Sequence, residues 1–175
     1  MRHIPNILSA IRILMIGVFI YFFVNVNYVA CLITYIIAFL TDLLDGYLAR
    51  RNNWISDLGK VLDPLADKLM LITALVCFTV AGWVPLWLLI LVVSKELLMI
   101  LGGMFLYKKK IVVYADWFGK TAAGLFNGGV VLTLLAGFFP FLYPYNIVVL
   151  VIALGSAIVA LFHYAKMNGI IKGKE

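Results

Sequence analysis

Long apolar stretches interrupted by short polar clusters organise this chain. Ile13 to Thr41, Leu69 to Ser94 and Thr121 to Ala165 contain no charged residue, and hydrocarbon about 30 Å thick calls for roughly 20 apolar residues per helix. Each stretch can hold more than one crossing or complete a neighbouring one. The breaks carry turn signals: Asn25-Val-Asn27, the polar region Arg50 to Lys60, Ala81-Gly-Trp-Val-Pro85, the basic run Lys108 to Lys110 with Asp116, and Gly137 to Asn146 with Pro140 and Pro144. This pattern predicts six helices, over roughly 7–24, 28–50, 60–80, 84–107, 117–137 and 146–167. Gly102-Gly103 and Gly128-Gly129 fall inside two of them, where close packing of a neighbour is the usual reason for glycine.

Composition turns six helices into membrane helices. Of 175 residues, 65% are hydrophobic and 13% charged, too small a polar complement to coat a soluble globule. The expected fold is an all-α integral membrane protein with six transmembrane helices in a single domain over residues 1–175, residues 1–6 forming a short amphipathic start. That start shows no small-residue cleavage site, so the first helix is expected to stay in the mature protein. In a six-helix weave Arg2, Arg12, Arg50, Arg51, Lys60, Lys108 to Lys110, Lys120, Lys166, Lys172 and Lys174 fall toward one side, and the opposite turns hold no Lys or Arg. Positive loops stay inside, so both termini are expected to be cytoplasmic. Trp83, Trp87, Tyr143 and Tyr145 lie near the charge-free turns, as an aromatic belt would. The net charge of +6 suits an anionic lipid surface; without soluble basic arms or basic-aromatic interleaving, nucleic acid is not an expected partner. Cys31 and Cys77 sit in apolar runs as small hydrophobes, and no Cys/His cluster supports zinc.

Acidic residues are concentrated where membrane burial makes them costly. Asp42, Asp45, Asp63 and Asp67 are four of eight carboxylates, placed at the basic ends of the second and third helices, and ionised groups at that depth need cations, water or metal. Spacings of i,i+3 and i,i+4 put each pair on one helix face. Four converging carboxylates offer oxygen-only ligands, the chemistry of hard divalent ions such as Mg²⁺ or Mn²⁺. A two-ion site favours diphosphate substrates, and one carboxylate less committed to metal could take a proton from a hydroxyl. Gly46, Ala49 and Gly59 keep the nearby surface low, and Arg50 offers planar donors to a diphosphate. The competing readings on spacing alone are a plain ion-pair network with Arg50, Arg51, Lys60 and Lys68, or the cation or proton path of an ion- or proton-coupled transporter. The broken helices and inverted repeats that favour a transporter are not evident.

Asp42-Leu-Leu-Asp45-Gly46-Tyr-Leu-Ala49-Arg50, then Gly59, Asp63 and Asp67, resembles the D-x2-D-G-x2-A-R-x8-G-x3-D-x3-D signature of the CDP-alcohol phosphotransferase family without departure. The resemblance extends over almost the whole chain through the six-helix plan. It implies an enzyme moving a phosphatidyl group from CDP-diacylglycerol to an alcohol with release of CMP. It also implies a homodimer in a bacterial cell membrane, with the active site facing the cytoplasm. Asp42, Asp45, Asp63 and Asp67 would bind two divalent ions, Asp67 acting also as general base. Gly46, Ala49, Arg50 and Gly59 would shape the CDP pocket.

The opening Ile4 to Arg12 and the block Leu62 to Lys68 resemble members whose acceptor is glycerol-3-phosphate; the same blocks occur in members that use phosphatidylglycerol. Ser94-Lys95-Glu96 and Asp116 to Thr121 are looser matches, which keeps the second acceptor open. Lys60, Lys95 and Lys120 are the basic candidates for an acceptor phosphate or the diphosphate. Against that, Lys95 with Glu96 also reads as a structural pair, and Lys120 as an interfacial anchor.

Overall fold

The structure, a computed structural model, describes residues 4–52, 59–108 and 117–167, with side chains at 10–44, 65–102, 119–161 and 163. Among the described residues there are six α-helices: α1 (Ile4–Val24), α2 (Tyr28–Asn52), α3 (Gly59–Val80), α4 (Leu86–Lys108), α5 (Trp117–Ala136) and α6 (Tyr143–Met167), with a 3₁₀ turn at Pro140–Leu142. The boundaries follow the expected turn clusters, because Asn, Gly and Pro act locally. Asn27 caps α2, its Oδ1 accepting the Ala30 N–H at 3.1 Å. Gly82, at φ 76°, ends α3 in a Schellman turn: Trp83 N–H donates to Phe78 O at 2.8 Å and Gly82 N–H to Thr79 O at 3.1 Å. The same arrangement ends α1, where Asn27 N–H donates to Phe22 O and Val26 N–H to Phe23 O. There, however, the left-handed position is held by Val26 at φ 57°, a β-branched residue where glycine is favoured.

In this bundle α3 touches α1, α2, α4 and α5, and α6 lies along α5 and also meets α4. The core between them is built from Phe19, Tyr35, Ala74, Phe78, Leu88 and Val130, among others. Gly129 permits the close pairing of α5 with α6: a Cβ there would stand 2.6 Å from Leu150 Cδ2. Gly128 and Gly102, expected to serve close packing as well, instead face open space. The α5–α6 contact also carries a buried polar clamp. Asn146 Nδ2 donates to Thr133 Oγ1 at 3.2 Å, and Thr133 Oγ1 donates back to Gly129 O at 2.7 Å, so neither side chain is left unpaired in apolar surroundings.

Aromatic rings fasten one end of the bundle. Trp83 stacks on Phe78 with centroids 5.9 Å apart and meets Phe23, Tyr28 and Tyr143 edge-on at 5.7, 4.8 and 6.2 Å. Trp83 and Tyr143 therefore knit the helices together internally, while Trp87 and Tyr145 are outward, as a belt requires. Outside, the surface is apolar: Leu14, Val29, Ile33, Leu86, Leu101 and Ile152 are exposed, whereas Arg12, Lys95 and Glu96 are buried. This is the reverse of a water-soluble surface. Among the described residues, Pro140–Leu161 is long and apolar enough to cross a membrane, and Ala10–Val24 and Tyr28–Leu44 are shorter apolar segments.

Replacing Val26 with glycine is expected to stabilise the protein by roughly 0.5–1 kcal/mol, the left-handed penalty less the extra unfolded-state entropy of glycine. A thermal melt of the Val26→Gly variant showing an unchanged or lower midpoint would contradict the strain assigned to this turn.

Candidate active site

Opposite the aromatic end, the helices turn polar side chains inward. On α2, Tyr35, Ala38 and Asp42 follow one another at i, i+3 and i+7, so one face carries all three. On α1, Arg12 interrupts an apolar helix and is 1% exposed; its Nη1 lies 2.8 Å from Asp42 Oδ1, a carboxylate still 31% exposed. On α3, Asp67 stands in the electrostatic field of Asp42, Arg12, Glu96 and Lys68. A small cavity lies between these helices, lined by Arg12, Tyr35, Phe39, Asp67, Met70 and Asn127. Its far wall is fixed by a hydrogen bond from Tyr35 Oη to Asn127 Oδ1 at 2.7 Å, while Asn127 Nδ2 donates to Ala123 O at 3.0 Å.

The first and last aspartates of the signature thus face one cation from neighbouring helices. Asp45 and Asp63 belong to the helical spans of α2 and α3, but their side chains lie outside the described residues, as do those of Gly46, Ala49, Arg50, Gly59 and Lys60. Among the described residues no group of three His, Cys, Asp or Glu side chains converges on a metal position. The donor chemistry available nonetheless fits a hard divalent cation: carboxylate oxygens from two helices.

A second charged cluster adjoins the first. Glu96 on α4 is 4% exposed and receives two lysines: Lys68 Nζ approaches Oε2 at 3.0 Å and Lys95 Nζ meets Oε1. Lys95 also stands over the Phe126 ring, 5.0 Å from its centroid, an attractive placement for a desolvated cation. The structural pairing expected for Lys95-Glu96 is therefore present and extends across helices, because Lys68 joins from α3. Lys95 is held by this network, and Lys120 lies exposed at the start of α5, apart from the cavity-lining set.

Three contributors are not among the candidate site residues of the sequence. Arg12 counts there among the basic residues of one side and closes the block resembling one acceptor branch, and Tyr35 and Asn127 lie in apolar runs. The available signal was the solitary charge or amide within an otherwise apolar helix, which marks an inward face.

Residues 2–162 match the family profile described as CDP-alcohol phosphatidyltransferase. The chain is 35% identical over 120 residues to a CDP-diacylglycerol–glycerol-3-phosphate 3-phosphatidyltransferase of Aquifex aeolicus, covering 67% of each chain. It is 33% identical over 135 residues to the Bacillus subtilis protein of the same name, covering 69% of this chain and 70% of the relative. A CMP-forming cardiolipin synthase of Streptomyces coelicolor is 35% identical over 103 residues, 55% of this chain and 48% of the relative.

Glu96→Gln would leave one buried and one half-buried ammonium group, those of Lys95 and Lys68, facing a neutral amide. It is expected to destabilise the protein by about 3–5 kcal/mol, with Glu96→Gln/Lys95→Met recovering part of that loss. Thermal unfolding of both variants in detergent checks this, and an unperturbed single variant would show that the triad contributes nothing.

Proposed function

This chain belongs to the CDP-alcohol phosphatidyltransferase family, and from that premise we propose that it transfers the phosphatidyl group of CDP-diacylglycerol to glycerol-3-phosphate, releasing CMP. The observation that carries the reading is the family match together with two signature aspartates around Arg12: Asp67, which lines one cavity with it, and Asp42, which is ion-paired to it. The names of the Aquifex and Bacillus relatives support the acceptor. A second reading, with phosphatidylglycerol as acceptor, is favoured by the cardiolipin synthase relative. Membership of a transferase family sets aside the transporter alternative.

In this reading a single domain of six membrane-spanning helices sits in a bacterial cell membrane as a homodimer, both termini and the active site facing the cytoplasm. The exposed apolar surface supports the membrane setting, and the one-sided distribution of Lys and Arg supports the orientation. The family uses divalent metal ions. Here two Mg²⁺ or Mn²⁺ ions would be held by Asp42, Asp45, Asp63 and Asp67. When bound, the ions neutralise diphosphate charge and stabilise the departing phosphate.

The protein's own groups do the remainder. Gly46, Ala49, Arg50 and Gly59 bind the CDP moiety, with Arg50 donating to phosphate oxygens. Lys60 and Lys120 supply positive charge for the diphosphate or an acceptor phosphate, and Lys95 does so through the network that Glu96 holds. Asp67 accepts the proton of the acceptor hydroxyl as its oxygen forms a bond to the β-phosphorus, the one carrying diacylglycerol. The bond from that phosphorus to the bridging oxygen breaks, and the electron pair leaves with CMP. A hydroxyl held beside Asp67 has the advantage over a water that is not so placed.

CMP release by the purified protein in detergent tests the acceptor. Release from CDP-diacylglycerol with glycerol-3-phosphate is expected, release with phosphatidylglycerol alone would establish the second reading, and silence with both would reject both. Excess chelator is expected to abolish turnover and added Mn²⁺ to restore it; full turnover in chelator would remove the metal site. Asp67→Asn should lower turnover by roughly 10²–10⁴-fold while CDP-diacylglycerol binding falls much less, and equal loss of both would exclude a base role.

A further inference from the structure

Arg12 lies outside the motif that defines the site, on a helix that contributes none of the signature residues. Its guanidinium is nonetheless among the most deeply buried groups of the described residues, ion-paired with the first signature aspartate and lining the same cavity as the last. Full burial of a permanent cation is strongly unfavourable unless a partner is fixed beside it. Two carboxylates brought together from α2 and α3 carry the complementary problem, since each raises the energy of the other's ionised form. The two problems have one solution in this geometry.

We infer that Arg12 is a positioning residue that serves as the built-in counter-cation of the aspartate cluster, holding Asp42 beside α3 when no divalent ion is bound and fixing α1 to the site. The inference rests on the reading of Asp42 as a metal ligand. A guanidinium suits the task because it is always charged and its planar fork fixes direction as well as charge, which an ammonium does not. The cluster then keeps its arrangement between catalytic cycles, and an arriving cation meets carboxylates already assembled rather than dispersed by repulsion. Arg12 and the divalent ions neutralise the same charge, so removing one must increase dependence on the other.

The test is thermal unfolding of the full-length detergent-purified protein, in EDTA and in Mn²⁺, comparing wild type, Arg12→Met, Arg12→Lys and Arg12→Met/Asp42→Asn. In EDTA the Arg12→Met midpoint is expected to fall by roughly 5–15 °C, with Arg12→Lys intermediate. Mn²⁺ should raise the Arg12→Met midpoint at least about twice as far as that of wild type. The double variant, lacking both partners, should regain part of the stability in EDTA and lose the enlarged Mn²⁺ response. An Arg12→Met midpoint equal to wild type in EDTA, or an equal Mn²⁺ response in the two, overturns the proposal. If Arg12→Met fails to fold even with Mn²⁺, Arg12→Lys and the double variant decide: a double variant as unstable as the single one in EDTA assigns Arg12 to packing and overturns it. A wild type that Mn²⁺ does not stabilise removes the metal reading beneath the proposal, and the proposal with it.

Discussion

A bundle with an apolar outer surface has only its interior in which to place charge, and charge placed there must be met. Every described charged side chain buried in this protein obeys that constraint. Arg12 is matched to Asp42, and Lys68 and Lys95 share Glu96. The Arg12–Asp42 and Lys68–Glu96 pairs cross between helices, α1 to α2 and α3 to α4, so meeting the electrostatic requirement also sets how the helices are rotated about their axes. A slightly different rotation of α4 would leave Glu96 facing lipid, at a cost of several kcal/mol. Arrangements that satisfy the charges are therefore few, and the site and the fold are specified by the same contacts.

The two ends of the bundle divide the work. Around Trp83, rings from α1, α2 and α3 and from Tyr143 at the start of α6 interlock, and Asn146 with Thr133 fastens α6 to α5. Ring packing and satisfied hydrogen bonds make that end a rigid base. The other end can then hold carboxylates together although they repel, since electrostatic cost at one end is offset by packing at the other. A site whose ligands come from two helices, with supporting groups from three more, depends on such a base: sub-ångström drift of any helix would disperse it.

Placing a cation of the protein's own among the signature carboxylates also bears on how the substrate is received. CDP-diacylglycerol brings a diphosphate, which carries negative charge toward an acidic cluster. The approach is favourable only if the cluster is neutralised, by divalent ions, by Arg12, or by both. The Lys68–Glu96–Lys95 group adds a net positive charge next to Asp67 and extends the favourable field toward α4 and α5. An anionic acceptor would meet this side of the site, where Glu96 tempers the two lysines.

The chain on its own determined the helices, their ends and the chemistry available. Apolar runs, Asn27 as a cap, Gly82 as a stop and the i,i+3 and i,i+4 spacing of the aspartates act within a few residues of one another, so they are legible along the sequence. Family membership is legible for the same reason, because its signature spans two consecutive helices and the turn between them. Which partner each buried charge takes was decided only by tertiary structure. Arg12 and Asp42, and Lys68 and Glu96, meet between successive helices, and Tyr35 and Asn127 between α2 and α5; the rotation of each helix is set by the packing of the whole bundle. The outward Gly102 and Gly128, against the packed Gly129, make the same point from a neutral residue: helical periodicity gives relative faces, and only a neighbour gives a face its meaning.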